Sequence, residues 1–183
     1  MNLALTPEQE MLKTTAREFV ANECPQALAR DLDESGDGFS PDLWQKMARL
    51  GWVGAIIPPE YGGGGHSFSD LGVLYEEMGK GALPSPHHSS GVLCAMVLLK
   101  GGSERQRMDI LPAVARGERI LALAATEPSY GWDPGDIQLK AEAKDGAPSG
   151  ASGQSFVLNG TKLFVHDAHV ADTLIVAART GQA

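Results

Sequence analysis

The sequence predicts an α+β protein with its helices first and its strands last. Three observations carry this. Apolar residues recur at three- and four-residue intervals through roughly the first 118 residues, several of these stretches open on a capping residue, and after Gly117 the apolar spacing falls to two. The chain therefore divides into an all-helical domain, 1–118, and a strand-bearing domain, 119–183.

The first helix is announced by Thr6, which can cap it, with Pro7 at the first position and Gln9 three residues after the cap, the capping-box arrangement. Leu12, Ala16, Phe19 and Val20 then follow at helical spacing. Ser40 and Pro41 repeat this grammar. Leu43, Trp44, Met47 and Leu50 form one apolar face, and Gly51 ends it. "WVGAIIPPEYGGGG" is a loop punctuated by Pro and Gly, and a helix is predicted over residues 68–78, stopped by Gly79. Residues 86–100 make the most apolar helix, predicted to be buried and closed by Gly101 and Gly102. Ser103 and Gln106 supply another capping box for a helix running towards Arg116.

The strand signals are shorter. An apolar run over 120–124 ends at "TEP", and Ile137, Leu139, Ala141 and Ala143 alternate with polar residues. "DGAPSGASG" reads as a flexible loop. In "QSFVLNGTKLFVH", Asn159 and Gly160 suit a type I′ turn, so a hairpin is predicted there, and "DTLIVAART" adds a last strand. Strands ending so close to residue 183 would leave open edges, so the chain is expected to be part of a larger protein.

Composition narrows the function classes. The 183 residues carry a formal net charge of −8 with no basic run, which disfavours nucleic acid as a partner. Cys24 and Cys94 are far apart and form no CxxC, so neither a disulfide framework nor a zinc site is indicated. His87 with His88, and His166 with His169, have no third ligand nearby, so no metal is expected. No window approaches a membrane span, and a cytoplasmic protein is expected.

"YGGGG" at 61–65, "EEMG" at 76–79, "GSERQRMDILPAVARGE" at 102–118, "ATEPSYGWD" at 125–133 and "LNGTKLFVHDAHVADTLIVAAR" occur in an order and at spacings that resemble the acyl-CoA dehydrogenase family. Each element alone is weak; together they span nearly the whole chain. The resemblance implies the family's N-terminal helical domain followed by the first part of its middle domain, an incomplete antiparallel β-barrel, without the C-terminal four-helix domain. It further implies FAD as cofactor and an acyl-CoA thioester as substrate, oxidised to the 2,3-enoyl-CoA by removal of an α proton and transfer of a β hydride to flavin N5. An electron-transfer flavoprotein or similar acceptor, and a homo- or hetero-oligomeric assembly, are implied as partners. The base is expected from the absent C-terminal domain, so no carboxylate of this chain is assigned to catalysis and the 183 residues alone are expected to be inactive.

By the same resemblance, Leu123, Ala125, Thr126, Gly131 and Trp132 correspond to the stretch that meets the flavin, joined by Phe164 and His166 from the later barrel strand. An extended backbone presents alternating N–H and C=O groups to a flavin's polar edge, Thr126 adds a hydroxyl, and Gly131 allows close approach. Trp132 stands where the family has a small serine. Phe164, Val165 and His166 stand where it has Trp, Ile and Thr or Ser. Glu127 is expected to hold the turn through hydrogen bonds, while Glu76 and Glu77 are adjacent and face different ways. Ser90, Leu93, Cys94 and Val97 share a helical face and, with Trp132, are the candidates for contact with the acyl group; core packing is the other reading of that face. Two further functions stay open: a non-catalytic partner or scaffold subunit whose flavin site has decayed, and a flavin oxidase or monooxygenase of the same fold.

Overall fold

Short-range capping decides where most helices begin. In the computed structural model, which describes residues 4–36, 38–131, 133–144 and 155–181, Thr6 Oγ1 accepts from Gln9 N at 3.2 Å and Gln9 Oε1 accepts from Thr6 N at 3.1 Å, opening α1 (Pro7–Glu23). Ser40 caps α3 (Pro41–Arg49). Ser67 with Asp70 opens α4 (Phe68–Lys80), and Ser103 with Gln106 opens α6 (Glu104–Ala115). Between α1 and α3 lies α2 (Gln26–Ser35), which the sequence did not reveal, since Pro25 offers no side-chain cap and no residue of the helix is buried.

The chain falls into two compact units, Met1–Ile120 and Leu121–Ala183. In the first, Met47, Val53, Ile57, Leu74, Leu111 and Val114 are withdrawn almost completely from water. Polar clasps fix the helices around them. Trp44 Nε1 donates to Gly117 O at 3.0 Å, tying α3 to the turn after α6. Glu77, buried on α4, accepts from Arg17 Nε and Nη2 at 3.2 Å each and from Lys80 Nζ at 2.8 Å. α4 passes through Gly79, its predicted stop, and reaches Lys80, whose ammonium pairs with Glu76 and Glu77 on the last turn. The glycine run after Tyr61 packs back on its own loop: a Cβ on Gly63 would stand 2.0 Å from Ile57 O.

The predicted apolar helix over 86–100 is two structures in series. A π-helix covers His87–Cys94, and α5 continues over Ala95–Gly101, with Ala95 N donating to Ser90 O five residues back. The buried His87 pins the wide turns. Its Nε2 lies 2.9 Å from Trp52 O, so that nitrogen carries the proton, and its Nδ1 accepts from Tyr75 Oη at 2.8 Å. Burial lowers the His87 pKa and raises that of Tyr75 to about 12, so both are neutral near pH 7.

In the second unit, β1 (Leu121–Ala124) pairs in parallel with β4 (Thr173–Val176), from Leu121 opposite Thr173 to Ala124 opposite Val176. β2 (Ala141–Ala143) pairs antiparallel with β3 (Phe156–Leu158). The α+β reading holds, with a parallel pairing beside the antiparallel one. The Asn159–Gly160 hairpin is not formed. Neither residue has the positive φ a type I′ turn needs, β3 turns instead to β2, and Leu163 N donates to Thr126 O at 2.8 Å. The predicted strand over 137–143 is shortened to β2 because the amides of Gln138 and Leu139 are spent on a carboxylate. The "DGAPSGASG" loop lies outside the described residues. Among the described residues no helix is long and apolar enough to cross a membrane.

Candidate functional site

β1 delivers the chain into a turn organised by Glu127. Its carboxylate accepts from Gln138 N at 2.8 Å, Leu139 N at 2.9 Å and Lys162 Nζ at 2.7 Å. Lys162 Nζ also donates to Ala125 O at 3.0 Å, and both side chains of the pair are more than nine-tenths buried. The Lys162 ammonium, followed by the two backbone amides, pulls the Glu127 pKa from 4.5 down to about 2. Glu127 therefore holds the turn, as expected, and a weakly basic carboxylate with three donors already on it is a poor proton acceptor. Glu77 is likewise held at about 2, by Arg17 first and Lys80 second.

This lock brings together two segments that the sequence singled out separately. Residues 125–127 lie against 162–163 through the Lys162 and Leu163 bonds, which sets Phe164 beside the turn. Phe164 is 71% exposed and takes a φ of 52°. Tyr130 is 60% exposed with a φ of 55°, and its ring meets that of Phe164 at a centroid distance of 6.1 Å and a tilt of 34°. His166 lies exposed in the following turn.

Other expected site residues sit differently. Leu123 is half-buried in β1, and Ala125 and Thr126 are half-buried beyond it. The carbonyls of Ala124, Ala125 and Thr126 accept from Ala177 N, Lys162 Nζ and Leu163 N, so the acceptor half of the expected free backbone edge is spent within the chain. The place of a Cβ on Gly131 is filled by Asp136, 2.2 Å away, so this glycine admits its own chain rather than a ligand on that side. Trp132 lies outside the described residues.

In the helical unit, Ser90 and Cys94 are fully buried, Leu93 is 39% exposed and Val97 is half-buried. The four do not share one face. The π-helix has more residues per turn than the α-helix assumed by a 3-and-4 spacing, so the three-residue step from Ser90 falls short of a full turn and Leu93 leaves the side that Ser90 and Cys94 share. Burial pushes the Cys94 thiol up to about 12, leaving it inert. A pocket of about 200 Å³ nearby is lined by Tyr75, Met78, Leu83 and His88, and by none of the four.

Lys162 and Tyr130 are what sequence reasoning missed. A lysine leading directly into the apolar Leu163–Phe164–Val165 run, with a Thr-Glu-Pro carboxylate earlier in the chain, was the available signal for the first. Tyr130 offered none, because its importance lies in φ and in the ring it touches. A second hollow of about 520 Å³ beside Glu127 is lined by Pro128, Leu139, Lys140, Glu142 and Asn159 among others, and by none of the residues expected to meet a cofactor.

A family model described as acyl-CoA dehydrogenase, N-terminal domain, matches residues 6–118. The chain is 34% identical over 185 residues to a short-chain specific acyl-CoA dehydrogenase of Clostridium acetobutylicum, covering 98% of this chain and 45% of that one. Its structure resembles that of an acyl-CoA dehydrogenase from Geobacillus kaustophilus with a TM-score of 0.82 at 28% identity, covering all of this chain and 46% of the other. It also resembles PigA with FAD and proline, at a TM-score of 0.81 and 27% identity, over 98% of this chain and 45% of that one. The chain thus spans less than half the length of these relatives.

Proposed function

The chain belongs to the acyl-CoA dehydrogenase family, of whose members quoted above it spans about 45%, and from that premise we propose that it contributes one wall of an FAD site in an oxidoreductase that converts an acyl-CoA thioester to the 2,3-enoyl-CoA. The observation that carries this reading is the Glu127–Lys162 lock, which sets the exposed Phe164 ring beside the turn that ends β1. The residues present fit a flat conjugated group on two counts: an exposed aromatic ring, and a hydrogen-bonded backbone at the half-buried, hydroxyl-bearing Thr126.

In this reading Thr126 and Phe164 hold the cofactor, with His166 able to donate from the exposed turn. A bound flavin supplies the two-electron acceptor for the β hydride. The chain's own residues bind and orient. Glu127 contributes no proton transfer, since its lone pairs are committed and its acidity is that of a strong carboxylic acid. Of the four helical candidates Leu93 is the most open, which supports contact with an acyl chain there, while Ser90 and Cys94 lie in the core. Reducing equivalents pass on to an electron-transfer flavoprotein or a similar acceptor, and the functional assembly is oligomeric.

The test is a visible absorption spectrum of the natural protein as purified. Flavin bands that bleach on addition of a saturated acyl-CoA, without oxygen uptake, support the reading. Bleaching accompanied by oxygen uptake would move the protein to the oxidases, and a colourless protein that takes up no added FAD would end the proposal.

A further inference from the structure

Among the described residues, two bulky aromatic residues adopt a left-handed backbone, and their rings meet. Tyr130 and Phe164 have φ angles of 55° and 52°, a region that costs an L-residue with a large side chain and that glycine occupies freely. Both residues also stay in water, at 60% and 71% exposure, although their rings are the kind of surface that burial rewards. Strain and exposure therefore coincide at one ring pair. Such conformations persist where the surroundings over-determine them, and they gather at ligand sites.

The surroundings are specific. Tyr130 N donates to Glu127 O at 2.9 Å, closing the turn on the residue whose carboxylate anchors Lys162. Leu163 N, one residue before Phe164, donates to Thr126 O. Both rings are thus mounted on the same lock, one on each of its arms. Their planes lie within 34° of parallel at a 6.1 Å centroid separation, so neither ring covers the other face to face. Phe164 alone is a six-membered ring, small against a three-ring conjugated system; Tyr130 sets a second exposed ring 6.1 Å from it.

We propose that Tyr130 is a ring-binding residue, which with Phe164 forms a two-ring shelf for the flat face of an isoalloxazine. This rests on the flavin reading above and adds to it a residue that no sequence signal assigned. The binding is through the ring: the Tyr130 hydroxyl is dispensable, and the left-handed backbone is the means of presenting the ring outward.

The experiment is a titration of the flavin-stripped natural protein with FAD, followed by flavin fluorescence polarisation, for the parent and three variants. Tyr130→Ala should weaken binding about tenfold, the scale of one lost ring-on-ring stack. Tyr130→Phe should stay within about twofold of the parent, because the stacking face is kept. Tyr130→Gly should lose affinity as the alanine variant does while its melting temperature holds or rises, since glycine relieves the φ. That pairing separates a binding role from a structural one. If the alanine and glycine variants bind FAD as the parent does, the shelf is wrong and the flavin reading stands. If the parent itself binds no FAD, both fall. FMN and ADP titrated in place of FAD divide the two aromatic systems of the cofactor: a Tyr130→Ala penalty on FMN supports the shelf, and a penalty on ADP alone overturns its assignment to the isoalloxazine.

Discussion

Up to Ile120 the chain is held by apolar side chains that leave water almost entirely, Met47, Ile57, Leu74 and Leu111 among them. From Leu121 on, the described residues that are buried are few, Leu121, Ala122, Ala124, Glu127 and Leu139, and two of the five are alanines. Strands of three or four residues cannot organise themselves on so little apolar area. A carboxylate, an ammonium and a handful of backbone bonds take over. Tolerance to substitution should therefore differ between the units: the helical unit answers to volume, the strand unit to charge and donor geometry.

The largest expected effect lies in the helical unit. Leu111→Ala removes a side chain with no exposure and should cost about 3 kcal/mol, read from the urea midpoint. A loss below about 1 kcal/mol would mean that this core is not close-packed and would break the contrast. In the strand unit, Lys162→Met keeps the bulk and removes the charge. The amides of Gln138 and Leu139 should then exchange about tenfold faster, while those of α1 and α4 keep their protection. Equal acceleration in both units would show that the lock is not local.

Acid sharpens the contrast less violently. Glu77 and Glu127 both have folded pKa values near 2 against an ordinary 4.5, so each contributes stability that is fully present above about pH 4.5 and is lost as pH falls towards 2. A carboxyl-carbon NMR titration should place both midpoints near 2; a Glu127 midpoint near 4.5 would deny it the Lys162 partner. Smallest of all, Ser103→Ala should cost about 1 kcal/mol through the lost cap of α6. Calorimetry of that variant beside Leu111→Ala would rank local against tertiary contributions within one unit.

The same contrast explains what could be read from the residues alone. Capping at Thr6, Ser40 and Ser103 is a matter of three or four neighbours, and the structure reproduces it. α2 was hidden because it has no capping side chain and its apolar residues Leu28, Ala29 and Leu32 are only half-buried. The π-helix was hidden because its width is imposed by His87 reaching Trp52 and Tyr75, residues 35 and 12 positions away. In the strand unit the local Asn159–Gly160 signal pointed to a hairpin, and long-range partners overrode it. Of the candidate site, Thr126 and Phe164 were singled out through the family likeness, and the structure brings their segments together. Lys162 and Tyr130 were not, since one acts through a carboxylate 35 residues earlier and the other through a backbone angle.

That separation of 35 residues also sets an order in time. On the ribosome, Glu127 emerges well before Lys162, after every capping pair of the helical unit is already out. The nascent turn must wait with its carboxylate in water, and its two amide donors arrive before the cation does. A force profile of arrested nascent chains should show one step as α6 clears the exit tunnel and a second only once Lys162 has followed. Synthesis then releases the helical unit before the turn that Glu127 and Lys162 close.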